Sequence, residues 1–122
     1  MKIVQIVDAL PSLQKLAKQD LSIKKLYQIS KLMSKLDTEL AFYNERRNQI
    51  CTQYCDVVDG KYVVREVDED KFNMAMSELL NLDVQCDIVE VAIDVSENIK
   101  LSYNDIVALK GFVSIESSED GV

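Results

Sequence analysis

The chain has 122 residues, of which 48% are apolar and 29% charged, with a formal net charge of −7 and no histidine. That balance belongs to a folded domain and not to a disordered segment. The missing histidine excludes Ser-His and Cys-His nucleophiles and histidine-ligated metals, and three isolated glycines leave no phosphate-cradling loop.

The length suits a single domain, drawn over residues 1–115, with an acidic flexible tail at 116–122. No apolar run approaches the roughly 20 residues of a membrane span, and the first residues lack a signal-peptide pattern. The cytoplasm is the expected location. Residues 1–55 carry nine basic and five acidic side chains, whereas residues 56–122 carry five and sixteen. A chain so divided is electrically two-ended, and its acidic half suits a basic partner surface.

The N-terminal helical segment, 1–21, reads as two short pieces. Ile3, Ile6, Val7 and Leu10 fit helical spacing. Pro11 then sits where a first turn tolerates it, opening a second helix over 11–19 with Leu13, Leu16 and Ala17 as its stripe. The long helix follows over 22–55, capped by Asp20 or Ser22. Leu26, Ile29, Met33, Leu36, Leu40, Tyr43, Ile50, Tyr54 and Val57 recur in steps of three and four, with Arg47 breaking the series. That is a heptad seam on a rod about 50 Å long. Lys24, Lys31 and Lys35 share an outward face, and solvation explains them more simply than anion binding.

Cys51 and Cys55, four apart, share a helical face. As half of a metal site they lack ligands, since Cys86 is the sole further cysteine. Small buried hydrophobes is the better description, and no metal or cofactor is expected. A hairpin over 56–68 is signalled by Asp59-Gly60 between Val57-Val58 and Lys61–Val64. Asp68, Glu69 and Asp70 then open a helix over 69–82, with Phe72, Met76, Leu79 and Leu80 as its core stripe, folding back antiparallel on the rod.

At about 21 Å this helix covers less than half of the seam, so the middle near Leu36, Leu40 and Tyr43 is expected to stay open for a second copy or a partner. Residues 83–95 read as one strand, with a phase change at Ile88-Val89 that suits a bulge. Its pairing partner is the hairpin, the N-terminus or a second subunit. Ser102 and Asp105 form a capping box for a short helix over 102–110, and Phe112, Val113 and Ile115 add a last apolar patch. The fold class is α+β, mainly α: one long coiled-coil-like helix with shorter packed helices, a β-hairpin and one longer strand.

This order of pieces resembles a family of small uncharacterised proteins of phages and prophages of Gram-positive bacteria. The likeness runs over residues 9–110. It is carried by Ala9-Leu10-Pro11, Leu13 and Lys15-Leu16-Ala17, then by Lys31-Leu32, Leu36, Glu39-Leu40, Tyr43 and Arg46-Arg47. Beyond the rod it continues in Glu78-Leu79-Leu80, Leu101-Ser102, Asp105-Ile106 and Ala108-Leu109. The resemblance implies a phage context inside a bacterial host cell and brings no catalytic residues.

Two functional readings follow. One is a non-enzymatic interaction module, a homo-oligomer through the long helix that binds a phage or host protein. Its interface would be Leu36, Leu40, Tyr43, Arg46, Arg47, Ile50 and Tyr54, since Tyr and Arg are common interface anchors. The other is an acidic inhibitor of a host defence or nucleic-acid-handling protein, acting through Asp56, Asp59, Glu66, Asp68, Glu69 and Asp70. The plainer account of each set is core packing for the tyrosines and helix capping for the acids. Catalysis is not expected, because Asp83, Asp87, Glu90 and Asp94 alternate faces and build no dyad. Direct nucleic-acid binding is not expected either, as the lysine face lacks interleaved aromatics and opposes the net charge.

Overall fold

A computed structural model describes residues 1–94 and 99–116. The fold is α+β and 61% helical, built on one long helix, shorter helices, an antiparallel hairpin and a parallel strand pair.

The N-terminal segment is one helix and not two. α1 spans Ile3–Ala17 and runs straight through Pro11. Proline has no N–H for the Val7 carbonyl, a costly loss in a helix interior. Burial of Ile6, Ala9, Leu13 and Leu16 on one stripe carries the helix across the gap, while Pro11 itself faces solvent. α2 spans Ile23–Tyr54, and at 32 residues is a rod of about 48 Å. Ser22 caps it, its hydroxyl accepting from the Lys25 N–H at 3.3 Å.

Two short strands, β1 (Cys55–Val58) and β2 (Lys61–Val64), form the hairpin, with Val57 opposite Tyr62 and Val58 opposite Lys61. Asp59 and Gly60 both take positive φ, at 52° and 77°. The two-residue turn needs that conformation, and Asp-Gly reaches it at little strain. After a 3-10 turn at Glu66–Asp68, α3 (Glu69–Leu80) runs back along α2. Asp68 stands at its N-cap but makes no cap bond, because its carboxylate takes a hydrogen bond from Arg65 instead.

Residues 83–95 were expected to form one strand; only β3, Val91–Asp94, is one. Before it, Asp83 makes a single bridge to Lys2, with Ile3 N–H donating to Leu82 O and Val84 N–H to Met1 O. Val84, Cys86 and Ile88 are then half-buried in alternation, and burial shifts phase to Val91 and Ile93. The phase therefore changes, but between Ile88 and Val91 and without Val89, which is 75% exposed; Val95 lies outside the described residues.

The partner of β3 is none of those foreseen. It is β4 (Val113–Glu116), parallel and in register Val91 to Val113. Parallel strands need a crossover, and the segment holding α4 (Tyr103–Ala108) supplies it. The tail at 117–122 lies outside the described residues.

The main core joins Ile6, Ala9, Leu13 and Leu16 of α1 to Ile29, Leu32, Leu36 and Leu40 of α2, and closes over Val91, Ile93, Leu109, Phe112 and Val113. A smaller cluster of Ile3, Ile50 and Leu79 sits further along α2.

Asp105 ties α4 to α1. Its carboxylate accepts from Lys15 Nζ at 2.7 Å, from Ser12 Oγ at 2.8 Å and from the Ser102 N–H at 2.9 Å. These donors, Lys15 first, hold it well below the usual carboxylate range. A depressed folded-state value adds stability at neutral pH. That stability fades as pH drops below the unfolded carboxylate's value near 3.8 and is lost as the folded group itself takes up a proton. Asp105→Asn should therefore unfold at lower urea than the parent at pH 7, with the gap narrowing between pH 5 and pH 2. A gap independent of pH would assign the loss to packing alone.

Candidate protein-interaction surface

The seven residues proposed for the rod interface do not form one surface. Leu36 is 0% exposed and Leu40 is buried too, both in the main core against α1. The strip expected to stay open is thus covered by the chain itself, because α1 is one long helix and the C-terminal strands add to it. Ile50 is buried with Ile3 and Leu79, and Tyr43 and Tyr54 are half-buried against that cluster. Arg46 and Arg47 face solvent, Arg46 donating to Gln49 Oε1 at 2.9 Å.

Exposed apolar side chains occur along the chain, Ile23, Phe42, Val67 and Met74 among them, and four lie together on the hairpin. Val57 is 67% exposed, and Val58, Tyr62 and Val63 each about half. Alternation puts Val57 and Tyr62 on one face of the ribbon and Val58 and Val63 on the other. Among the described residues β1 and β2 pair only with each other. Lys61 and Val58 flank the turn as a hydrogen-bonded pair, so the backbone N–H and C=O of Val57 and Tyr62 point outward along the two free edges. Such edges are templates for another strand.

The hairpin is held to the rod by Arg65, a residue without a signal in the sequence beyond its charge. Its guanidinium donates to the Gln53 carbonyl, to Asp68 Oδ2 at 2.8 Å and to Asp56 Oδ1 at 3.4 Å. Its backbone N–H donates to Tyr54 O at 3.0 Å, extending the ladder by one rung. Asp68 is the main cause of a raised Arg65 pKa, so this cation stays charged at any ordinary pH.

Of the six acidic candidates, Asp56, Asp59, Glu66, Glu69 and Asp70 are exposed, while Asp68 is half-buried. They follow one another through the hairpin, the 3-10 turn and the start of α3. Two of them, Asp56 and Asp68, are paired with Arg65, which leaves Asp59 at the hairpin turn and Glu66, Glu69 and Asp70 in the 3-10 turn and the start of α3 exposed and without an ion pair among the described residues.

Cys51 and Cys55 are buried and Cys86 is half-buried, all three as free thiols. Burial first, and then the neighbouring Cys51, push the Cys55 thiol up, away from the reactive thiolate. Among the described residues no three Cys, Asp or Glu side chains gather as a metal would require, and no helix is long and apolar enough to cross a membrane.

Comparison of the chain with models of protein families, with curated proteins and with solved structures gives no match. The class of protein therefore rests on geometry alone: an α+β fold built on one long helix, with a two-stranded ribbon following that helix and exposing four apolar side chains.

Proposed function

We propose that this chain is a non-enzymatic protein-interaction module that docks through the hairpin end of its rod. The observation that carries the reading is the pair of unpaired edges on a ribbon exposing Val57, Val58, Tyr62 and Val63. A lone two-stranded hairpin is marginal in water, and covering it with strands from another chain removes apolar surface and satisfies the edges together. The sequence's lack of histidine also favours binding over catalysis. The resemblance to phage and prophage proteins suggests the setting, a bacterial cytoplasm in which a second copy and a phage or host protein are the partners.

Light scattering at low and high salt tests this, on the parent chain and on the double variant Val57→Lys, Tyr62→Lys. The expected result is a salt-resistant assembly that the variant reduces to monomer while circular dichroism stays unchanged. A parent chain that is already monomeric would remove the second copy as partner. An assembly untouched by the variant would place the contact elsewhere.

A second reading, an acidic inhibitor of a host defence or nucleic-acid-handling protein, is favoured by the four unpaired carboxylates Asp59, Glu66, Glu69 and Asp70 at the same end. It calls for binding to a basic host protein that weakens steeply with salt. Neutralising those four residues should abolish it. Apolar docking on the ribbon would instead survive both salt and neutralisation.

A further inference from the structure

Away from the hairpin, a groove of about 360 Å³ opens between α2 and β3. Lys25, Lys31 and Lys35 line one wall, Leu32 and Val91 the floor, and Glu90 and Ala92 the other wall. Three cations thus face one carboxylate. None of the three ammonium groups forms an ion pair among the described residues, and Lys31 lies 5.7 Å from the centre of the Tyr27 ring.

The strand wall is itself unfinished. Among the described residues β3 pairs only with β4, and Val91 N–H donates to Phe112 O at 3.1 Å. Successive residues of a strand aim their backbone groups to opposite sides, so the N–H and C=O of Ala92 point away from β4. The groove therefore offers a backbone edge, an apolar floor and a cationic wall side by side.

We propose that this groove binds an extended acidic peptide segment of a partner protein, which adds as a strand along the free edge of β3. Main-chain hydrogen bonds to Ala92 set its register. Its side chains on the α2-facing side, the side towards which Val91 points, present carboxylates to Lys25, Lys31 and Lys35, and the intervening apolar side chains lie on the opposite face with that of Ala92. A flat lysine face would attract any anion, whereas this geometry selects an anion with a peptide backbone in β conformation. The site is separate from the hairpin, so failure of one leaves the other standing.

The probe is a fluorescein-labelled peptide of four Val-Glu repeats, read by anisotropy against the full chain. A Pro-Glu peptide of the same length and charge is the control, because it has no N–H at alternate positions. Binding of the first and not the second is expected, with Lys31→Glu, Lys35→Glu abolishing it. Ala92→Pro removes the edge N–H and should weaken binding about tenfold, the loss of roughly one backbone hydrogen bond and its register. Thermal melts check that each variant folds, and the lysine variant stands alone if Ala92→Pro does not. Equal binding of the Pro-Glu peptide, wild-type binding by the lysine variant, or equal displacement by a thymidine oligonucleotide of the same charge would overturn the proposal.

Discussion

Truncating Leu36 to alanine should lower the free energy of unfolding by about 3 kcal/mol, read from the urea midpoint, and leave the solution mass unchanged. Leu36 sits at the middle of the heptad seam, where a coiled-coil partner would normally insert its knobs. Here the hole is filled from within: Leu36 is fully buried and shares its cluster with Ile6, Ala9 and Leu13 of α1. Removing three carbons loses transfer energy and leaves a void that two packed helices close only in part. A seam interface would answer differently. Mass would fall on truncation, while the isolated subunit would lose little. The two outcomes are separable in one sample, because mass and urea midpoint report different equilibria.

Phe112→Ala should cost still more, about 4 kcal/mol. Phe112 is among the largest fully buried side chains, four residues beyond the end of α4 in the last apolar patch of the sequence. Its ring fills the main core beside Leu109 and Val113, and its carbonyl accepts from Val91 N–H, so truncation loosens the start of the parallel ladder as well. Hydrogen exchange gives the sharper check. Amides of Ile93 and of β4 should lose protection together with those of α1, since all close on one core. If α1 kept its protection while the β3 and β4 amides exchanged freely, the C-terminal unit would be an appendage and not part of that core.

Much of the fold was legible because it is local. Asp59-Gly60 announces the hairpin, since few residue pairs accept two positive φ values in succession. Ser102 and Asp105 announce α4, since each side chain takes up a backbone N–H left free at the helix start. The seam of α2 is equally plain. What it packs against is not, because a heptad pattern states which face is apolar and is silent on whether a neighbour comes from the same chain.

The errors share that origin. Pro11 reads as a boundary because proline weakens an isolated helix, yet the buried stripe through Ile6, Ala9, Leu13 and Leu16 outweighs one missing hydrogen bond. The partner of β3 went unseen because Val113–Glu116 is four residues long and carries no turn signal of its own. Lys31 and Lys35 read as a solvated face, and Glu90 as one of four carboxylates alternating along a strand. Only packing sets them on opposite walls of one groove.

The sequence by itself determined several elements: the rod, the Asp-Gly hairpin, the short capped helix and an uneven charge along the chain. These follow from interactions within a few residues, where period and side-chain chemistry leave little choice. Tertiary structure alone decided that Leu36 and Leu40 of the seam are closed from inside, that β3 joins β4 in parallel, and that the hairpin keeps Val57, Val58, Tyr62 and Val63 exposed. Those outcomes depend on which apolar faces meet across long stretches of chain, and many faces are equally apolar until the packed core selects among them.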